Sequence, residues 1–295
     1  MDEYTLVLGL PHTNHRGLAE HLLLQQAGHF HWTSLARAIG TPLSALRTPA
    51  GQEVYATFYF IEERFPAHAR PATFQLDDRL RFAVSLRAFK AIAAETRIVF
   101  DHDQSLDPQA SDAHPWIRLA TIFITPEAGN SRLKVASPAG TDFSSIARLP
   151  NDDNPYHLTR EAKETRELGL LTADWQPVGP LDGFEAMYAI DIDRDTNGAG
   201  LFYFANYVTI MDRSEREAMQ ASPRPFSDVE IAGRDVETRR IAYFGNVSTA
   251  DRIRTRVFTF VDPRDATRVA FRYLMHRDED GELICMSEAV KALGR

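Results

Sequence analysis

The sequence predicts an α+β chain of two similar halves, each a long helix wrapped by antiparallel strands. Three observations predict it. Thr13-Asn14-His15-Arg16-Gly17-Leu18 recurs as Thr196-Asn197-Gly198-Ala199-Gly200-Leu201, and an internal repeat of this kind marks a duplicated structural unit. Each copy follows a short apolar stretch, Leu6 to Leu10 in the first half and Met187 to Ile190 in the second. Each copy also precedes a helical pattern and then a series of alternating segments.

The elements follow in order. After Gly17, Leu18, Leu22, Leu23 and Ala27 recur at helical spacing, and Gly28 is the expected left-handed stop. After Gly200, Phe204, Tyr207, Val208 and Met211 face inward, while Asp212 and Arg216 are spaced for an outward ion pair. Asn14 and Asn197 are the natural N-caps, because their side-chain oxygens can accept first-turn amide hydrogens. Val54, Ala56, Phe58 and Phe60 alternate with Tyr55, Thr57, Tyr59 and Ile61. Leu80 to Arg87, Trp116 to Ile124 and Leu133 to Ala136 continue the strands. Asp235 to Phe244, Arg252 to Val261 and Val269 to Met275 repeat the theme. Two proline-bounded stretches, Pro150 to Pro155 and Pro177 to Pro180, bracket a short helix from Glu161 to Leu168, stopped by Gly169.

One strand, one helix and several antiparallel strands around it make the hot-dog arrangement, expected here twice. The predicted organisation is a hot dog at 1–147, a linker at 148–179 and a second hot dog at 180–295. A single hot dog leaves a sheet edge exposed and pairs with another copy. A tandem chain carries both copies, so it is expected to be its own pseudo-dimer, with a homodimer of such chains as the next level of assembly.

The chain has 295 residues, 44% hydrophobic and 25% charged, which excludes a disordered or low-complexity protein. Its net charge of −8 argues against nucleic acid and anionic lipid as partners. Cys285 is the single cysteine, so neither an intrachain disulfide nor a thiolate zinc site is available. The acidic N-terminus and the lack of any apolar run near ~20 residues point to a cytoplasmic protein off the membrane.

Chemistry is expected at the helix starts, where backbone amides and the helix dipole suit a thioester oxygen gaining charge. Gly17, Gly198 and Gly200 either let an acyl chain approach or only shape tight turns. His12, His15, His21, His29 and His31 crowd the first half without a recognised metal spacing, so no metal is expected. His31 is read as either a pocket polar group or a packing residue. Tyr55, Thr57 and Tyr59 share one strand face, a solvated surface or a pocket wall. Asp191 to Asp195 has the look of a calcium loop but lacks the closing glutamate, and Asp195 is a loop former with a lesser claim as a base. No nucleophile elbow, phosphate loop or dinucleotide fingerprint is present. Arg252, Arg254 and Arg256 recur at period two, either as a solvated face or as a stripe meeting an anion.

Gly17 to Leu24, Gly28 to Trp32 and Tyr55 to Tyr59, with Asp195 to Tyr207 in the second half, resemble the double hot-dog acyltransferase/decarboxylase family of leinamycin biosynthesis and its relatives in polyketide clusters. The resemblance implies an enzyme that decarboxylates malonyl- or methylmalonyl-CoA and delivers the acyl group to an acyl carrier protein. It implies no cofactor beyond the coenzyme A thioester itself. The family's active-site tyrosine lies in a Thr-x-Tyr step, which matches Thr57 and Tyr59, with Tyr55 as the rival. His31, Asn14, Gly17, Asn197, Gly198, Gly200 and Asn206 are the accompanying substrate-binding candidates. Two other readings compete: a hot-dog thioesterase, which needs a base such as Asp195, and a non-catalytic module that grips acyl thioesters or carrier proteins.

Overall fold

The computed structural model describes residues 1–102, 106, 113–126, 133–248 and 251–294. The first half contains β1 (Asp2–Val7), the small pair β2 (Thr13–Asn14) and β3 (Gly17–Leu18), and the helix α1 (Glu20–Ile39). It continues with β4 (Tyr55–Arg64), β5 (Arg79–Phe89), β6 (Ala93–His102), β7 (Trp116–Pro126) and the short β8 (Leu133–Val135) and β9 (Ala147–Arg148). The linker carries α2 (Tyr156–Thr165). The second half contains β10 (Gln176–Val178), β11 (Phe184–Ala189), α3 (Ile192–Asp195), α4 (Asn206–Gln220) and α5 (Asp228–Ala232). It ends with β12 (Asp235–Tyr243), β13 (Arg252–Asp262), β14 (Asp265–Arg277) and β15 (Leu283–Ala292).

One sheet runs through both halves in the order β1-β5-β6-β7-β4-β12-β15-β14-β13, with β10 and β11 alongside β13. Numbered within its own half, each set of five major strands lies in the order first, third, fourth, fifth, second. The halves therefore share one topology, and they meet through their second strands. That seam is an antiparallel ladder from Arg64 opposite Thr238 to Phe60 opposite Ala242. It satisfies the edge that each half alone exposes. α1 packs on β5, β6 and β7, α4 on β11 and β13, and the helices touch each other. Leu23, Phe30 and Phe82 from the first half belong to the same apolar core as Val208, Met211 and Phe271 from the second.

Several local expectations are corrected. α1 runs through Gly28 and stops at Gly40, whose φ of 64° provides the left-handed cap. Gly28 is instead a contact glycine: a Cβ there would lie 2.7 Å from Cζ of Phe204. His29 to Trp32 consequently belong to the helix rather than to a segment after it. Neither Asn14 nor Asn197 caps a helix, since Ala19 precedes α1 and Ala205 precedes α4. The Asp212–Arg216 pair does not form; Asp212 turns inward to Lys291 at 2.8 Å, and Arg213 pairs with Glu217 at 3.0 Å. The linker helix begins at Tyr156 rather than Glu161 and closes at Arg166, which has a φ of 62°. The full strands β6 and β15 were not anticipated. Both are buried along most of their length, so they lack the polar alternation that marks a half-exposed strand.

The alternation in β4 holds only to Phe58. Phe58 opposes Thr121 and Phe60 opposes Ala120, which leaves Tyr59 as the extra residue of a β-bulge. Phe58 and, beyond the bulge, Ile61 join the main core. Tyr59 and Phe60 both pack on the opposite face with Ala120 and Leu158 of α2.

A buried ionic cluster sits near the seam. Arg239 lies within 2.5 Å of Glu20 and 3.5 Å of both Glu63 and Asp212, and Lys291 reaches Asp212 and Glu215. Arg234 adds a 2.7 Å pair to Glu215. Four carboxylates face three cations, so one retained proton would leave the cluster neutral. Burial, then repulsion from Glu20, pushes the Glu63 carboxyl well above its ordinary range, so of the four it holds a proton most readily.

Candidate active site

The loops before α1 and α4 are equivalent positions in the two halves, yet they border different spaces. Before α1, Gly17 has a φ of 143°, and a Cβ there would lie 2.7 Å from the carbonyl oxygen of Pro71. Gly17 is therefore a packing glycine against backbone, not an entrance. Oδ1 of Asn14 accepts from the amide of Arg16 at 2.8 Å, closing a turn. The cavity beside them has only about 30 Å³, with Glu20 and Asp212 in its wall.

The loop before α4 borders a cavity of about 370 Å³. Trp32 of α1, Tyr55 to Phe58 of β4, and Asn197 to Ala199 with Leu201 to Phe204 form its principal walls. A second cavity of about 180 Å³ shares Thr57, Phe58, Leu201, Phe202 and Phe204 with it and adds Tyr59, Tyr207, Tyr243 and Asn246. This second space lies where β4 and β12 part, beyond their last pair at Phe60 and Ala242. Neither set of lining residues contains a carboxylate or an imidazole.

The loop is held rigidly. Oδ1 of Asn197 accepts from Ala199 at 3.0 Å and from Leu201 at 3.1 Å. The amide of Phe202 donates to Oδ1 of Asn246 at 3.0 Å, and the Tyr243 hydroxyl donates to the carbonyl of Phe204 at 3.1 Å. Gly200 takes a φ of 69° in this turn. A Cβ at Gly198 would meet no atom within 4 Å, so this wall is open to a ligand.

The structure separates the expected site residues into two groups. Thr57 lines both cavities, Tyr59 the smaller, and Asn197 and Gly198 the larger. Tyr59 donates its hydroxyl to Oδ1 of Asn154 in the linker at 2.9 Å, and burial pushes its phenol upward, so it stays protonated. The others lie elsewhere. Asn14 and Gly17 belong to the closed loop, and Asn206 begins α4 with its amide on the carbonyl of Arg194. His31 is fully buried, 2.7 Å from Oγ1 of Thr96 and 3.0 Å from Oγ1 of Thr121, with burial pushing its pKa down to about 3. It is a packing residue rather than a pocket group. Asp195 accepts from the Tyr188 hydroxyl and the Asp191 amide, both at 2.8 Å, and lines neither cavity. Tyr55, the rival tyrosine, lines the larger cavity and donates its hydroxyl to Glu53.

Sequence reasoning missed Tyr207, Tyr243 and Asn246, because residues 243–246 reach the site through the seam and Tyr207 reads as an ordinary inward helix position. Three successive rings, Phe202, Tyr203 and Phe204, were the available signal for an aromatic pocket loop. Among the described residues, no group of three His, Cys, Asp or Glu could hold a metal ion, and no helix is long and apolar enough to cross a membrane.

No family model and no curated protein sequence matches the chain. Solved structures do match it along their whole length. An oleoyl thioesterase from Lactobacillus plantarum superposes with a TM-score of 0.65 at 10% identity, covering 99% of this chain and 96% of that one. The 12:0-ACP thioesterase from Umbellularia californica gives 0.65 at 8% identity, with 99% and 97% coverage. An acyl-ACP thioesterase from Bacteroides thetaiotaomicron gives 0.59 at 11% identity, with 98% and 97% coverage. The architecture is the hot-dog fold, repeated within one chain.

Proposed function

We propose that this protein is an acyl-thioester enzyme working at the paired cavities beside the Asn197–Phe204 loop, and that it decarboxylates a malonyl-type thioester and passes the acyl group to a carrier protein. The observation that carries the reading is the chemistry of the walls: hydroxyls and aromatic rings, with neither a carboxylate nor an imidazole lining either space. A malonyl carboxylate meets no like charge there, and loss of CO2 needs no general base. It needs donors for the enolate oxygen, and Thr57 and Tyr59 are neutral hydroxyls suited to that task, Tyr59 by turning its one proton from Asn154 to the enolate. The resemblance of the Thr57-to-Tyr59 step to the leinamycin-type family supports the same chemistry.

Hydrolysis is the second reading, favoured by the full-length likeness to structures described as thioesterases. It requires a group to activate water, and the candidate Asp195 is tied into its own loop. Incubation with malonyl-, methylmalonyl- and acetyl-CoA, with and without a carrier protein, distinguishes the readings. Release of CO2 from the first two and acyl transfer to the carrier are expected. Free thiol without CO2, from acetyl-CoA as readily as from malonyl-CoA, would replace this reading with the thioesterase.

A further inference from the structure

A third cavity, of about 340 Å³, lies under the linker helix and shares Tyr59, Ile122, Tyr243 and Phe244 with the cavity at the parting of β4 and β12. Its outer wall is α2, which contributes Arg160 and Lys163, with Glu164 beside them. The three spaces thus follow one another through shared walls and change character along the way. The first has no charged lining residue, the second has hydroxyls, and the third has two cations. Near the linker, Arg240 is spent on Glu62 and Arg272 on Glu288 and Glu167. Among the described residues, Arg160, Lys163, Arg166 and Arg254 enter no ion pair with a carboxylate.

The cationic surface extends beyond the third cavity. From Arg160 to Arg166 the helix advances ~9 Å at its ordinary rise. Arg254 stands opposite His276 in the β13–β14 ladder, and burial first, then the charges of Arg166, Arg254 and Arg256, hold His276 below its usual range. Arg256 is shared with Glu185 at 3.3 Å. On α2 the cations Arg160, Lys163 and Arg166 alternate with Glu161 and Glu164, and the third cavity is lined by two of those cations and one carboxylate.

Resting on the acyl-thioester reading, we propose that Arg160 and Lys163 bind the phosphate of the substrate's pantetheine arm, the anion common to coenzyme A and carrier-protein thioesters. The arm then enters beneath α2 and passes Tyr59 between β4 and β12. The acyl end reaches the uncharged cavity at Trp32 and Gly198. The opposite orientation would place the phosphate among lining residues that carry no charge, which no anion tolerates cheaply.

The test compares, by titration calorimetry, coenzyme A and 4′-phosphopantetheine, which both carry the arm's phosphate, with pantetheine, which lacks it. Arg160→Ala/Lys163→Ala alters two exposed helix positions and is expected to fold. It should weaken coenzyme A about tenfold or more, equivalent to at least ~1.4 kcal/mol, with a larger loss at low salt. The double variant should weaken 4′-phosphopantetheine as it weakens coenzyme A. Pantetheine binding should be unchanged, and Glu164→Gln should strengthen coenzyme A binding. Equal binding of coenzyme A by parent and double variant, a loss for coenzyme A without one for 4′-phosphopantetheine, equal loss for coenzyme A and pantetheine, or no binding of coenzyme A by the parent would overturn the proposal. Intact, variant-sensitive binding without turnover of any thioester would count against the enzymatic reading alone.

Discussion

Glu63 of β4 and Arg239 of β12 stand directly opposite each other in the seam, both fully buried, with 3.5 Å between Oε1 and Nε. Their attraction is incomplete because Arg239 is held more closely by Glu20, at 2.5 Å. Burial works against Glu20, yet Arg239 and Lys291 hold its carboxyl below the usual range, while burial and the Glu20 charge push the Glu63 carboxyl well above it. The seam therefore contains an acid that releases its proton less readily in the folded state than in the unfolded chain.

The sign of the linkage follows. A carboxyl whose folded pKa is raised contributes stability fully present below the unfolded value near ~4.5, lost as pH rises above it. Glu63→Gln keeps the shape and removes the titration. It should be as stable as the parent near pH 4.5 and more stable at pH 7 to 8. Urea midpoints at several pH values check this, and a variant no more stable at pH 8 would mean that Glu63 is ionised in the fold.

His31 gives the opposite slope. Its folded pKa of about 3 lies below the ordinary value of 6.5, so the unfolded chain takes up a proton that the folded chain refuses. Stability should fall as pH drops from ~6.5 toward ~3, by up to ~1.4 kcal/mol per pH unit from this residue. His31→Gln should unfold more readily at pH 7, having lost part of the threonine pairing, but should lack that component of the acid slope. Equal slopes in parent and variant would rule out His31 as the source.

Gly28→Ala should be costly despite the gain in helix propensity. The added methyl would meet the Phe204 ring and lie 3.5 Å from Phe58, so the wall of both principal cavities must move. A loss of about 1–3 kcal/mol in stability is expected, together, under the proposed acyl-thioester reading, with a raised KM for the thioester. An unchanged KM at the stability cost would separate Phe204 from the substrate path.

Tyr59→Phe tests the proposed chemistry. Losing the bond to Asn154 should cost about 1 kcal/mol of stability, because Oδ1 of Asn154 still accepts from the Tyr156 amide at 3.0 Å. If the hydroxyl serves the enolate, CO2 release should drop about 10²–10³-fold with little change in substrate binding. Tyr55→Phe, whose hydroxyl serves Glu53, should stay within a few-fold of the parent. Full activity in Tyr59→Phe would reduce Tyr59 to a wall residue.

The repeat Thr13–Leu18 and Thr196–Leu201 made the two-fold architecture legible, because it marks equivalent loops before equivalent helices. Local chemistry was less legible for a physical reason in each case. The bulge at Tyr59 breaks a strict period of two without any change in residue type, so Phe60 and Ile61 exchanged faces. His31 looked like a pocket group because sequence shows neither Thr96 nor Thr121, which bring two hydroxyls to it from distant strands. Asn154 and Asn246 approach the site from the linker and from beyond β12, and no pattern within the first repeat reports them.

The seam between β4 and β12 has an evolutionary corollary. In a homodimer every substitution appears at both symmetry-related sites, so a change that fills one pocket also fills its mate. Joining two copies in one chain frees each site from the other's constraints. One loop here has been committed to packing and a charged cluster, while its counterpart keeps an open, ring-lined space. Gly17, closed against the Pro71 carbonyl, and Gly198, facing open space, are the two repeats put to different uses within one chain.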